Sequence, residues 1–172
     1  MRRRFLFEQS PRLGRGTIPA SQPALAAPSF GPLEFNPASG DQTEEYLTLK
    51  NDHPFALDLS GWRLSGGVRH AFRPGTVIPA ESTLYLTPRV SAFRSRRQSP
   101  RGGESLFVQG NYQGQLDARG ETILLTSPDD RVHLEHTFEG QPTPAQLGLR
   151  ITEIFYHPNP QPPLSDQGEA FE

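Results

Sequence analysis

Leu47-Thr48-Leu49-Lys50-Asn51, followed after a short gap by Asp58-Leu59-Ser60-Gly61-Trp62-Arg63-Leu64, decides the fold. In the first run Leu47 and Leu49 alternate with polar residues, so both fall on one face of an extended segment. Asn51, Asp52 and Pro54 end that strand with turn-forming chemistry. Asp58, Ser60 and Gly61 build a second turn, and beyond it Trp62, the only tryptophan of the chain, shares a face with Leu64. Two strands joined through a loop and a sharp turn, with the tryptophan at the start of the second, indicate an all-β domain.

Outward from this block the same pattern recurs. Strand-like segments fall near 32–36, 44–50, 61–65, 68–73, 82–87, 104–109, 121–126 and 131–138, separated by turn signals such as Pro74-Gly75 and Ala118-Arg119-Gly120. The clearest hairpin turns at Ser127-Pro128-Asp129-Asp130, where proline at the second position presets the backbone angle. In its second arm Val132, Leu134 and Phe138 face one way, and His133, Glu135 and Thr137 the other. Eight short strands in this length suit a β-sandwich. Trp62, Leu47, Leu49, Leu64, Leu84, Leu86, Ile123, Leu125 and Leu134 are the expected core.

The composition agrees. The chain has 172 residues, and 18 Pro with 16 Gly punctuate it throughout, which leaves little room for long helices. A net charge of −2 makes the whole chain no electrostatic magnet for nucleic acid. With no cysteine, disulfides and thiolate zinc sites are excluded. Sixteen of the 17 basic residues are arginine, a mark of a GC-rich, bacterial coding sequence rather than of a mechanism. No apolar run reaches membrane-spanning length. Arg2-Arg3-Arg4 resembles the start of an export signal, but no apolar stretch follows, so no clear signal peptide is read.

Residues 1–30 are rich in Arg, Pro and Ala without periodicity and are expected to be a disordered basic leader. The β-domain is expected over 31–140, with a linker at 141–149. From residue 150 an earlier pattern returns: Ile154-Phe155-Tyr156-His157-Pro158 echoes Leu33-Glu34-Phe35-Asn36-Pro37, and Glu169-Ala170-Phe171 echoes Glu45-Tyr46-Leu47. Residues 150–172 therefore read as the truncated start of a second copy, and the chain as part of a longer protein whose adjoining domains are covalent neighbours.

These residues together resemble the lamin tail domain, an immunoglobulin-like module of nuclear lamins and of many bacterial surface or secreted proteins. The resemblance rests on Asn36-Pro37, on Glu45-Tyr46-Leu47-Thr48-Leu49-Lys50-Asn51, on Asp58-Leu59-Ser60-Gly61-Trp62-Arg63-Leu64, on Phe72-Arg73-Pro74-Gly75-Thr76, on Ile78-Pro79 and on Gly120-Glu121. It covers about 32–139 and restarts at 150–172. It implies an immunoglobulin-like β-sandwich, an extracellular or cell-surface location, and an interaction or tethering role rather than catalysis, with a protein or surface polymer as partner. Glu45, Asn51, Asp58, Ser60, Gly61 and Trp62 carry the motif as structural residues. The Arg-rich stretch departs from the pattern and inherits no family role.

That stretch, residues 88–103, is the binding candidate by charge. Arg89, Arg94, Arg96, Arg97 and Arg101 could grip phosphate or an anionic polymer. An anion- or nucleic-acid-binding module using Arg94, Arg96, Arg97 and Arg101 is thus the first alternative, though aromatic residues for base stacking are sparse and the competing reading is a solvated insertion. The second alternative is the accessory part of a metal-assisted hydrolase at Asp41, Glu44 and Glu45. Those acids, like Asp129-Asp130, lack the spacing of a calcium loop and read as turn residues. His133 and His136 are three apart on a strand and so point to opposite faces, which keeps both from one metal. No Gly-x-Ser-x-Gly elbow and no phosphate-cradling glycine loop occurs. The chain is therefore expected to be no enzyme and to need neither cofactor nor metal. Trp62 is expected in the core rather than on a sugar-stacking surface.

Overall fold

The computed structural model describes residues 26–148, with Arg150 and Thr152. The chain divides into two units, Met1–Gln141 and Pro142–Glu172. The first is all-β. Its strands are β1 (Ser29–Glu34), β2 (Tyr46–Asn51), β3 (Leu57–Asp58), β4 (Arg63–Ser65), β5 (Val68–Ala71), β6 (Val77–Ile78), β7 (Ser82–Thr87), β8 (Phe107–Gly110), β9 (Gln113–Gly114), β10 (Gly120–Thr126) and β11 (Val132–Glu139), with one short helix, α1 (Val90–Arg94). In the second unit, α2 (Pro144–Gly148) forms a single turn inside the expected linker, where Thr143 accepts from Gln146 and donates back to its side chain. The expected second copy at 150–172 lies outside the described residues apart from Arg150 and Thr152. No helix of the described residues is long and apolar enough to cross a membrane.

Two larger sheets carry the first unit. One has the order β1-β2-β7-β8 and the other β11-β10-β4-β5-β9, while β3 and β6 pair separately. Pairing is antiparallel except for β7 with β8. The alternation in the sequence explains why the sheets share a core. Leu47, Leu49, Leu84 and Leu86 from one sheet join Leu64, Val68, Ile123 and Leu125 from the other in a single apolar cluster. Trp62 is in it at 8 % exposure, and Leu134 packs against it half-buried. At one flank the sheets are joined by aromatic stacking: Phe30 on His136 and Phe35 on Phe138, each with ring centres 5.3 Å apart.

The turn before Trp62 needs its glycine. Trp62 N–H donates to Leu59 C=O at 3.1 Å and Gly61 has φ +78°, a type II turn with glycine where positive φ is required. Gly61 N–H donates to Phe72 C=O at 3.0 Å and Phe72 N–H to Trp62 C=O at 2.9 Å, which clamps β4 to the segment after β5.

Three expectations shift. Ser29 and Phe30, assigned to the leader, belong to β1, and Ala26 is buried, because Phe30 gains a stacking partner on β11. Residues 1–25 of the leader lie outside the described residues. Residues 88–103 are not an open loop, since α1 lays Phe93 at 0 % exposure against Tyr46 and Tyr85. This covers Tyr46 on the outer face of β2, and Thr48, whose hydroxyl donates to the Pro32 carbonyl at 2.7 Å, is buried beside β1, so both are buried as well as Leu47 and Leu49. The two-residue strands β3, β6 and β9 were too short to give a periodic signal.

Candidate functional site

The polar residues of the motif turn inward. Glu45 is 0 % exposed. Its Oε1 accepts from Tyr112 Oη at 2.8 Å and from Leu116 N–H at 3.2 Å, while Oε2 is buried without a partner. Burial raises its pKa to about 7; the two hydrogen bonds oppose the rise and the nearby Glu121 adds to it. The same burial, with the Glu45 carboxylate beside it, pushes the Tyr112 phenol up. Asn51 is 1 % exposed and ties the loop after β2 to the end of β6. Its Nδ2 donates to the carbonyls of Phe55 (2.7 Å), Ile78 (3.1 Å) and Pro79 (2.8 Å), and its Oδ1 accepts from His53 N–H at 3.1 Å. Asp58 Oδ1 accepts from the N–H and hydroxyl of Ser60, and Ser60 Oγ accepts from Gly75 N–H at 2.8 Å. Trp62 packs on His133 with ring centres 4.8 Å apart.

The arginines of 88–103 separate into two groups. Arg96, at 7 % exposure, pairs with Glu34, donates to the Glu44 carbonyl at 2.6 Å and lies 5.1 Å from the Tyr46 ring centre. Arg101 reaches Glu104 at 3.6 Å and the Arg97 carbonyl at 3.1 Å. Arg89 donates to Thr43 Oγ1 at 3.0 Å. The side chains of Arg94 and Arg97 are exposed.

The acids considered for metal do not converge. Asp41 caps the 3-10 turn Gln42–Glu44 by accepting from Thr43 N–H and hydroxyl, and these bonds hold its carboxyl below the usual range. Glu44 accepts from Ser39 at 2.7 Å, and Glu45 is in the core. Asp130 pairs with Arg63, and Ser127 donates to Asp129, which lowers the Asp129 carboxyl. His133 rests on Trp62 and His136 on Phe30. Among the described residues no three His, Asp or Glu side chains gather where one ion could reach them.

Opposite in character to these inward groups is an open cleft of about 790 Å³, where the end of β8 and the residues after it face β4 and β5. Arg69, His70 and Arg73 line it together with Gln113, the register partner of Arg69 on β9, and Gln109 and Asn111 line it from the end of β8. Arg63 also reaches it but is paired with Asp130. No acid lines it, and Arg69 and Arg73 are exposed. Burial, and secondarily Arg73, lowers the pKa of His70, which stands edge-on to Phe72 at 4.9 Å. Gln109 donates weakly to Thr76 Oγ1 at 3.3 Å, and Thr76 in turn donates to the Arg73 carbonyl at 2.8 Å. The Thr76 hydrogen is therefore committed, Gln109 must present its NH2 to Thr76, and Gln109 Oε1 is left as a buried acceptor without a partner.

Sequence reasoning missed this cleft. The one available signal was phase: Arg63, Arg69 and Arg73 fall between the core positions Leu64, Val68 and Phe72, so three guanidinium groups share the face turned from the core. No protein-family model matches the chain, and no curated protein does.

Proposed function

We propose that residues 29–140 form an immunoglobulin-like, lamin-tail-type sandwich that serves as a non-catalytic interaction and tethering module of a larger bacterial surface or secreted protein. One observation carries the reading: the motif side chains with chemical potential, Glu45, Asn51, Asp58 and Ser60, are engaged in holding loops together. They build a scaffold that leaves an open polar cleft among its exposed features. Residues that do chemistry on a substrate must face it, and these face the protein.

The test is to fuse the full chain to a fluorescent protein and measure its retention on an array of cell-envelope polymers, with release of soluble fragments followed in parallel. Retention on one polymer class without fragment release is the expected outcome. Fragment release by the chain, or no retention on any polymer, overturns the reading. Anion binding through the Arg-rich segment is a second reading, supported by Arg94 and Arg97, whose side chains are exposed.

A further inference from the structure

We infer that the free edge of β8 takes up a short extended peptide with acidic residues at alternate positions, which lies in the cleft as an added strand. The inference rests on the module reading above and names a partner class for it.

β8 is the last strand of its sheet, and among the described residues it pairs only with β7. Asn111 N–H donates to the Thr87 carbonyl at 2.9 Å, so the Asn111 backbone turns toward β7. Backbone direction alternates along a strand, so Phe107 and Gln109 turn toward β7 as well, and Val108 and Gly110 turn away. Val108 and Gly110 both line the cleft. Their N–H and C=O groups therefore form an open row beside it, the template on which a further strand pairs.

The charge of the cleft selects which peptide. Arg69 and Arg73 line it and are exposed, and among the described residues neither pairs with an acid. Arg63 is already neutralised by Asp130, and no Asp or Glu is in the lining. A strand laid along β8 turns every second side chain to the same side. Carboxylates at those positions match guanidinium groups by paired hydrogen bonds. The reach is short: β8 has four residues, and Asn111, at φ +71°, turns the chain away at its end. No aromatic side chain lines the cleft, so nucleic-acid bases have nothing to stack on. A saccharide or a small anion would answer the arginines and leave the β8 backbone unpaired.

The experiment measures binding of a labelled hexapeptide of alternating threonine and glutamate to the full chain by fluorescence anisotropy. Its counterparts carry glutamine for glutamate, or N-methyl groups on all the threonines or on all the glutamates. The acidic peptide is expected to bind, more weakly as ionic strength rises, and the glutamine peptide at least about tenfold more weakly. Only one of the two methylated peptides should bind, because alternate N–H groups face β8. Bound peptide should slow hydrogen exchange at the Val108 and Gly110 amides. Arg69→Ala and Arg73→Ala should each lower affinity about tenfold with the melting temperature held, since both side chains are exposed. Arg94→Ala with Arg97→Ala should leave binding unchanged. The inference is overturned by absent binding, by equal affinities of the two methylated peptides, by unchanged exchange at both amides, or by a loss that follows Arg94 and Arg97 instead. Each of these leaves the module reading standing, whereas cleavage of the peptide, seen by mass spectrometry, would overturn that reading.

Discussion

The Tyr112 hydroxyl donates to the Glu45 carboxylate at 2.8 Å, across 67 positions of sequence. The bond ties the segment before β2 to the loop after β8, and it surrounds an acid that has left water.

Stability should therefore depend on pH near neutrality. In the fold Glu45 titrates at about 7, above the ordinary glutamate value of 4.5, so the folded chain holds the proton more tightly than the unfolded one. The contribution is complete below the unfolded value and is lost as pH rises through the folded value, on the order of 3 kcal/mol in all. The urea midpoint of the wild type should fall between about pH 5 and about pH 8. Glu45→Gln should flatten that slope and unfold no more easily than wild type at the alkaline end. A wild-type midpoint that does not change over this range would show that Glu45 is not buried as an acid.

Asn51 supplies a test of the loop junction. Its NH2 faces three carbonyls, so Asn51→Ala should cost about 2–3 kcal/mol by chemical denaturation. Asn51→Asp should cost more, although it is closer in shape, because it aims a carboxylate oxygen at the same three carbonyls. Equal midpoints for the two variants would contradict the geometry.

Within the Arg-rich segment one residue should matter to folding and two should not. Arg96→Ala removes a buried guanidinium from Glu34 and the Tyr46 ring, at a cost of about 2–4 kcal/mol, moderated because Glu34 retains some solvent contact. Arg94→Ala and Arg97→Ala should stay within about 0.5 kcal/mol of wild type. Thermal melting of the three single variants decides this.

Trp62→Ala should cost about 3–5 kcal/mol, the range for large aromatic deletions in cores. A melting temperature matching the wild type would place the core elsewhere.

What the sequence made legible was periodic. Leu47 with Leu49, Leu84 with Leu86 and Ile123 with Leu125 alternate strictly, and all six are fully buried. Gly61 and the Ser127-Pro128-Asp129-Asp130 turn were readable because their chemistry is local. Burial that depends on distant partners was not. Arg96 reads as a surface charge until Glu34, 62 positions earlier, is brought beside it. Tyr112 and Leu116 lie in irregular chain, without alternation to mark them, and their place in the core follows from closing over Glu45. The cleft was hidden for the same reason: β8 and the β4-β5 hairpin are separated in sequence, and only the fold makes one surface of Arg69, Arg73 and Gln109.

The parallel pairing of β7 with β8 sets a length requirement on what joins them. A strand that runs beside its predecessor in the same direction cannot follow through a tight hairpin, so the chain must travel back along the sheet before β8 begins. Residues 88–106 make that return journey, and Phe93 fastens it midway. The exposed arginines Arg94 and Arg97 are free to change as long as the path stays long enough. A deletion that left fewer than about a dozen residues between β7 and β8 would instead force β8 to reverse direction, and with it would go the wall of the cleft that carries Gln109.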